Sequence, residues 1–173
     1  YPLPEYPHGL GMEAAGTVRE VGPEVDWLSP GERVAYTTPP PGAYATERVM
    51  PAAKLLKLPE GVSSELAAGM MLKGLTAQYL IRQTYPVQPG DTILIHAAAG
   101  GVGLILTQWA SHLGARVIGT VGSEEKAELA RARGCDFPVL YRKEDVVQRV
   151  KDITNGEGCA VEIGRASCRE RVC

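Results

Sequence analysis

The chain has 173 residues, 45% of them hydrophobic and 22% charged, with a net charge of −2, which is the balance of a water-soluble globular protein. That charge leaves no basic footprint for a nucleic acid, and no apolar run is long enough to span a bilayer. The start carries no charged-then-apolar signal pattern, and because it opens on Tyr1 rather than Met, the true amino terminus is expected to lie upstream.

The first third is rich in Gly and Pro, with short β-type runs between turn residues. Thr17–Val21 (TVREV) alternates in polarity, and Arg33–Tyr36 (RVAY) follows the turn Ser29-Pro30-Gly31-Glu32. Ala43–Val49 is a third candidate strand. Between the last two, Pro39-Pro40-Pro41-Gly42 must be loop, since three prolines supply no backbone donors. This pattern predicts a small all-β unit.

From Ser63 the period changes. SSELAAGMMLKGLTAQYLIRQ has a serine cap and strong helix formers, with Gly74 expected to separate two helical pieces and Met70 and Met71 expected in the helix core. Pro89-Gly90 then turns the chain into Asp91–His96, a buried strand. Leu104–Leu113 reads as a helix closed by Gly114, and Arg116–Val121 as a second strand. Ser123 caps a further helix with Glu124 and Glu125 in its first turn, where the helix dipole favours acid, and Gly134 ends it. Phe137–Tyr141 is the next strand, and Lys143–Thr154 a helix with Val146, Val147 and Val150 on one face. A fourth strand is expected over residues 160–162. Strands alternating with helices of this length imply βαβ units and a parallel sheet.

Ile163–Cys173 breaks the rhythm. It is basic, non-periodic and cysteine-bearing, and it resembles the conceptual translation of a short-read sequencing adapter, so it is expected to be foreign to the fold and is assigned no function. The four cysteines, Cys135, Cys159, Cys168 and Cys173, form no C-x-x-C pair and have no histidine at ligand spacing. Reduced thiols of a cytosolic protein are expected rather than a zinc site.

The chemistry concentrates in Ile93–Gly103, ILIHAAAGGVG. Aligned to G-x-G-x-x-G, Ala98 takes the tight-turn position, and Gly100 lets the backbone approach a pyrophosphate. Gly103 permits close helix–strand packing, with Ala99, Gly101 and Val102 filling the loop. The motif follows a predicted strand and opens a predicted helix, whose first amides and dipole attract phosphate. A cofactor with a free ribose 2′-hydroxyl is usually met by Asp or Glu at the end of the second strand. Here Val121-Gly122-Ser123 offers none, and Lys126 supplies a cation one turn on, which favours NADPH over NADH.

Taken together, GMEAAGTVREVG, PGERVAY, GAYA, LKGLTAQYL, HAAAGGVGLILTQWA and VIGTVGSEEKA resemble the medium-chain dehydrogenase/reductase superfamily, and within it the zinc-independent quinone oxidoreductase, or ζ-crystallin-like, branch. The resemblance implies an α/β fold: part of a GroES-like β-barrel domain over residues 1–62, then a partial, doubly wound Rossmann sheet over 63–162, with the active cleft between them. It further implies that the chain is a fragment, inactive by itself, of a cytoplasmic homodimer. Thr76 and Tyr79 would then lie near the cofactor, Gly101 and Val102 at the pyrophosphate, and Gly122, Ser123 and Lys126 with Tyr141 around the 2′-phosphate. Arg142 is a weaker candidate there.

In the zinc-dependent members a G-H-E motif provides a zinc-binding histidine, but Met12 sits between Gly11 and Glu13, and the four-cysteine structural-zinc lobe is absent as well. Without a Lewis acid, hydride from NADPH is expected to go to an electron-poor quinone, or alternatively to an enone. A non-catalytic, crystallin-like or RNA-associated cofactor binder is the third possibility. No general acid is identified. Glu13 could be catalytic by position but is expected to brace the interdomain turn, and His96 to be a hydrogen-bonded structural residue rather than a proton donor, while Tyr36 and Tyr44 fit either a substrate cleft or ordinary packing.

Overall fold

A computed structural model of the chain describes residues 7–164 and, for 168–172, the backbone. The structure divides into two compact units, Tyr1–Leu72 and Lys73–Cys173.

The first unit holds a three-stranded antiparallel sheet of β1 (Ala14–Thr17), β2 (Arg33–Tyr36) and β3 (Leu56–Lys57), with β2 in the middle. Val34, Ala35 and Tyr36 are buried with Leu28. Arg33 ties the sheet to the chain that follows, its guanidinium donating to the carbonyls of Val62 (2.7 Å) and Pro59 (3.1 Å). The strand expected over Thr17–Val21 lies earlier. Ala14, Ala15 and Gly16 pair with Tyr36, Ala35 and Val34, and the pairing closes where Val18 N–H donates to Glu32 and its carbonyl accepts from Gly31. Alternation pointed to Val21, but a strand runs where a neighbour pairs with it, and Val21 is exposed. Ala43–Val49 forms no strand for the same reason. Gly42 and Ala43 donate to the Gly11 carbonyl and Tyr44 to that of Leu10, while Val49 is 99% exposed. β3, with two residues, is too short to leave a pattern in sequence.

Helix α1 (Ser64–Tyr79) begins as expected, with Ser63 Oγ accepting from Leu66 N–H at 3.1 Å. Gly74 does not divide it. A glycine costs a helix about 1 kcal/mol, which the Leu, Ala, Met, Lys and Gln residues of α1 outweigh. The helix runs on into a π turn, Leu80–Thr84. Met70 is 39% exposed rather than core.

The second unit is a five-stranded sheet built from β4 (Thr92–Ile95), β5 (Arg116–Val121), β6 (Phe137–Leu140), β7 (Cys159–Ile163) and β8 (Cys168–Val172) in the order β6-β5-β4-β7-β8. The first four are mutually parallel, and β8 pairs antiparallel with β7. Side chains of successive residues point to opposite faces. Thus Ile93 and Ile95 join one cluster with Leu106 and Ala110 of α2 (Gly101–His112), and Leu94 joins Ile118, Val139 and Val150 of α4 (Val146–Thr154) on the other. Burial on both faces is why these strands read as unbroken apolar runs. Ile163 is buried and its carbonyl accepts from His96 N–H; the expectation that Ile163–Cys173 is foreign falls, beyond Gly164, on residues whose side chains are not described.

Helix ends differ from expectation where a cap decides them. α3 (Glu124–Arg131) starts after Ser123 as expected, but α4 starts three residues late because Asp145 accepts the Gln148 N–H at 3.1 Å. Val146, Val150 and Ile153 pack inward, while Val147 is half-exposed. Cys135 and Cys159 are buried free thiols, and burial pushes each up to about 11.

Gly119, in mid-β5, faces tightly packed neighbours. A Cβ there would stand 2.6 Å from Ala98 Cβ and 2.7 Å from Cys135 Sγ. Gly119→Ala is therefore expected to destabilise the unit by about 1–3 kcal/mol, read as a lower urea midpoint at unchanged slope. An unchanged midpoint would mean that Ala98 and Cys135 pack more loosely on β5 than the structure has them.

Candidate dinucleotide-binding site

The turn from β4 into α2 is held from below by β5. Ala97 N–H donates to Thr120 Oγ1 (3.2 Å) and Ala98 N–H to the Thr120 carbonyl (3.0 Å). Thr120 is buried, and its hydroxyl also meets His96 Nδ1 at 3.2 Å, while His96 Nε2 meets Glu162 Oε1 at 2.6 Å. His96 is thus hydrogen-bonded on both ring nitrogens.

The left-handed residue of the turn is Ala97, φ +50°, and not Ala98. Ala98 is fully buried, its methyl directed at Gly119, so the position aligned with the motif's first glycine serves packing instead. Gly100 N–H then bonds back to the Ala97 carbonyl at 2.7 Å, and α2 begins. At Gly103 a Cβ would overlap the Ala97 carbonyl oxygen and stand 2.9 Å from two backbone atoms of Ala98. The helix lies directly against the turn, and only glycine permits it.

Helix α2 is left open at its amino end. Gly100 is the cap residue and contributes no side-chain bond, and Gly101, Val102 and Gly103 carry the amides that an α-helix leaves unpaired in its first turn. By contrast α3 and α4 are capped by Ser123 and Asp145. Ala99, Gly100 and Gly101 add no bulk of their own over those amides, and with the helix dipole they form an anion site. A dinucleotide pyrophosphate fits the donors, and the cradle is one that side chains would fill.

At the end of β5 the second group of expected residues is brought together. A Cβ on Gly122 would stand 3.0 Å from the Tyr141 hydroxyl, so the half-exposed tyrosine lies over Gly122. Ser123 Oγ accepts from Lys126 N–H at 3.4 Å, which fixes the first turn of α3 and leaves the exposed Lys126 side chain beside it. The nearby acid, Glu124, is turned to Lys143 Nζ at 3.1 Å. Arg142 follows Tyr141 and is exposed.

The remaining expected residues are less tightly tied. Thr76 is half-buried and Tyr79 is 46% exposed, both on α1. Three residues before Thr76, Lys73 lays its stem over Gly101, where a Cβ would stand 3.0 Å from Cδ and 3.1 Å from Cε. Neither Lys73 nor Thr120 stands out in the sequence: one is a lysine on a helix, the other a β-branched residue in a strand. Glu13 accepts the Leu72 N–H at 3.0 Å. Tyr36 is packed under Arg48, whose guanidinium donates to its hydroxyl at 3.0 Å, while Tyr44 is 83% exposed. Among the described residues no three His, Cys, Asp or Glu side chains are grouped to hold a metal ion.

Residues 1–60 match the alcohol dehydrogenase GroES-like domain and residues 101–164 match the zinc-binding dehydrogenase family. A quinone oxidoreductase of Pseudomonas aeruginosa is 53% identical over 161 residues, which are 93% of this chain and 50% of that protein. A 2-haloacrylate reductase of a Burkholderia species is 53% identical over 91% of this chain and 48% of its own length. The solved Escherichia coli quinone oxidoreductase complexed with NADPH superposes with a TM-score of 0.87 at 49% identity, over 91% of this chain and 48% of that one. The chain spans about half the length of the curated relatives it matches.

Gly103→Ala tests the open helix end. Pushing α2 off the turn is expected to cost about 1–3 kcal/mol of stability and to lower dinucleotide affinity at least about tenfold, measured by urea titration and calorimetry on the full-length protein. Wild-type affinity in that variant would contradict the site.

Proposed function

Because the chain belongs to the medium-chain dehydrogenase/reductase superfamily, we propose that the full-length protein is an NADPH-dependent quinone oxidoreductase. The observation that carries this reading is the uncapped amino end of α2, pressed on its turn by Gly103, together with the end of β5, where Gly122 and Ser123 stand in place of an acid beside Lys126 and Tyr141. The first-turn amides of Gly101, Val102 and Gly103 would hold the pyrophosphate. Gly122 leaves room for a 2′-phosphate where an aspartate would repel it, Lys126 offers the opposite charge, and Tyr141 offers a hydroxyl. Thr76 and Tyr79 would line the nicotinamide side.

When bound, NADPH would supply a hydride. Met12 stands where zinc-dependent members carry a histidine, and a thioether is a poor ligand for zinc, so the acceptor must be electron-poor enough to take hydride without a Lewis acid. A quinone meets that condition. Its conjugated ring accepts the hydride and a proton from solvent completes the hydroquinone. The protein's part is orientation and exclusion of water.

An enoyl-type reduction is the second reading, favoured by the 53% identity to a 2-haloacrylate reductase. The family resemblance further suggests a cytoplasmic homodimer, and among the described residues no helix is long and apolar enough to cross a membrane.

Steady-state oxidation of NADPH and NADH by the full-length protein, against quinones and α,β-unsaturated carbonyls, separates these readings. Turnover of quinones with NADPH preferred is expected; faster turnover of enones would favour the second reading, and oxidation with no acceptor would defeat both. Lys126→Ala is expected to weaken NADPH about three- to tenfold through one lost charge-assisted contact, with NADH unchanged. Equal losses for both cofactors would remove the 2′-phosphate role.

A further inference from the structure

We propose that Lys73 is a pyrophosphate-positioning residue, a cation brought from α1 to complete the anion site that α2 offers only in part. The proposal deepens the dinucleotide reading above and rests on it. A helix amino end carries roughly half an elementary charge, against the paired negative charges of a pyrophosphate. α2 cannot make up the difference itself, because its first turn, Gly101-Val102-Gly103-Leu104, has no basic side chain and its cap residue is a glycine. The turn before it, Ala97-Ala98-Ala99-Gly100, has none either.

The chain that crosses this turn is the stem of Lys73. Its Cδ and Cε stand 3.0 and 3.1 Å from where a Gly101 Cβ would be, with Cγ at 4.0 Å, so three successive methylenes run past that residue. The ammonium lies one bond beyond Cε and so stays close to Gly101. Lysine suits the task, since its charge is a compact point on a flexible stem and needs no fixed bidentate geometry. Thr76 follows at i+3 on the same helix, so one face of α1 would present a cation and a hydroxyl to the same ligand.

The geometry also explains Gly101. Gly103 is excluded from bearing a side chain by backbone, which cannot move, whereas Gly101 faces only a flexible side chain. A methyl at 101 would leave the fold intact and push the lysine stem aside. Gly101, at a variable position of the motif, thus has a use of its own: it keeps open the channel in which Lys73 lies.

Calorimetric titration of NADPH and NADH into the full-length protein tests this. Lys73→Met keeps the stem and removes the charge. It is expected to weaken both cofactors by the same factor, about tenfold, because the pyrophosphate is common to both. Lys73→Gln should behave alike, and Lys73→Arg should restore most of the affinity. Gly101→Ala should weaken binding in the wild-type background and add nothing to Lys73→Met, since both act through the same ammonium. Wild-type affinity in Lys73→Met and Lys73→Gln, a loss confined to NADPH, or additive effects of the two sites would each overturn the role of Lys73 while leaving the dinucleotide reading intact. A wild-type protein that binds neither cofactor would overturn that reading, and this proposal with it.

Discussion

The contact on which the second unit turns is that between the backbone of Gly103 and the carbonyl of Ala97. A helix normally stands off the strand that feeds it by the width of a side chain. Here the side chain is absent, and α2 starts almost in contact with the turn below. Two consequences follow from that one approach. The first-turn amides come to the carboxyl end of the parallel sheet, where a crevice between strands admits a ligand. They also arrive with little bulk of their own around them, since Gly100, Gly101 and Gly103 carry no side chains.

Holding such a turn requires support from beneath. Thr120 provides it twice, with its hydroxyl on Ala97 N–H and its carbonyl on Ala98 N–H, so that a non-glycine residue is kept at positive φ. Ala98 fills the space under the turn and is accommodated because Gly119 has no side chain and Cys135 is small. The glycines of β5 and α2 therefore belong to one packing arrangement: one admits the alanine, the other admits the helix. On the rim, Gly122 extends the same economy of bulk outward, leaving the Tyr141 ring and the Lys126 side chain to define what may sit at the end of β5.

Much of the second unit is legible in sequence because its determinants are local. The alternation of apolar runs with capped amphipathic stretches locates each strand and helix within a few residues, and the glycine spacing marks the site. What escapes is decided by partners distant in sequence. β1 is set by pairing with β2, and Ala43–Val49 stays a loop because, among the described residues, none pairs with it as a strand. The left-handed turn falls on Ala97 rather than Ala98 because Thr120, over twenty residues away, selects it. Lys73 is separated from Gly101 by a helix and a strand, and no periodicity links them. The family resemblance is legible in short motifs that glycine and alanine dominate, since these are the positions at which backbone meets backbone or ligand.

A structure of the full-length protein with NADPH addresses the central claim most directly. Pyrophosphate oxygens within hydrogen-bonding distance of the Gly101 and Val102 amides, over a turn unchanged at Ala97 and Gly103, are expected. A nucleotide bound elsewhere, with those amides facing only solvent, would contradict the account at its root.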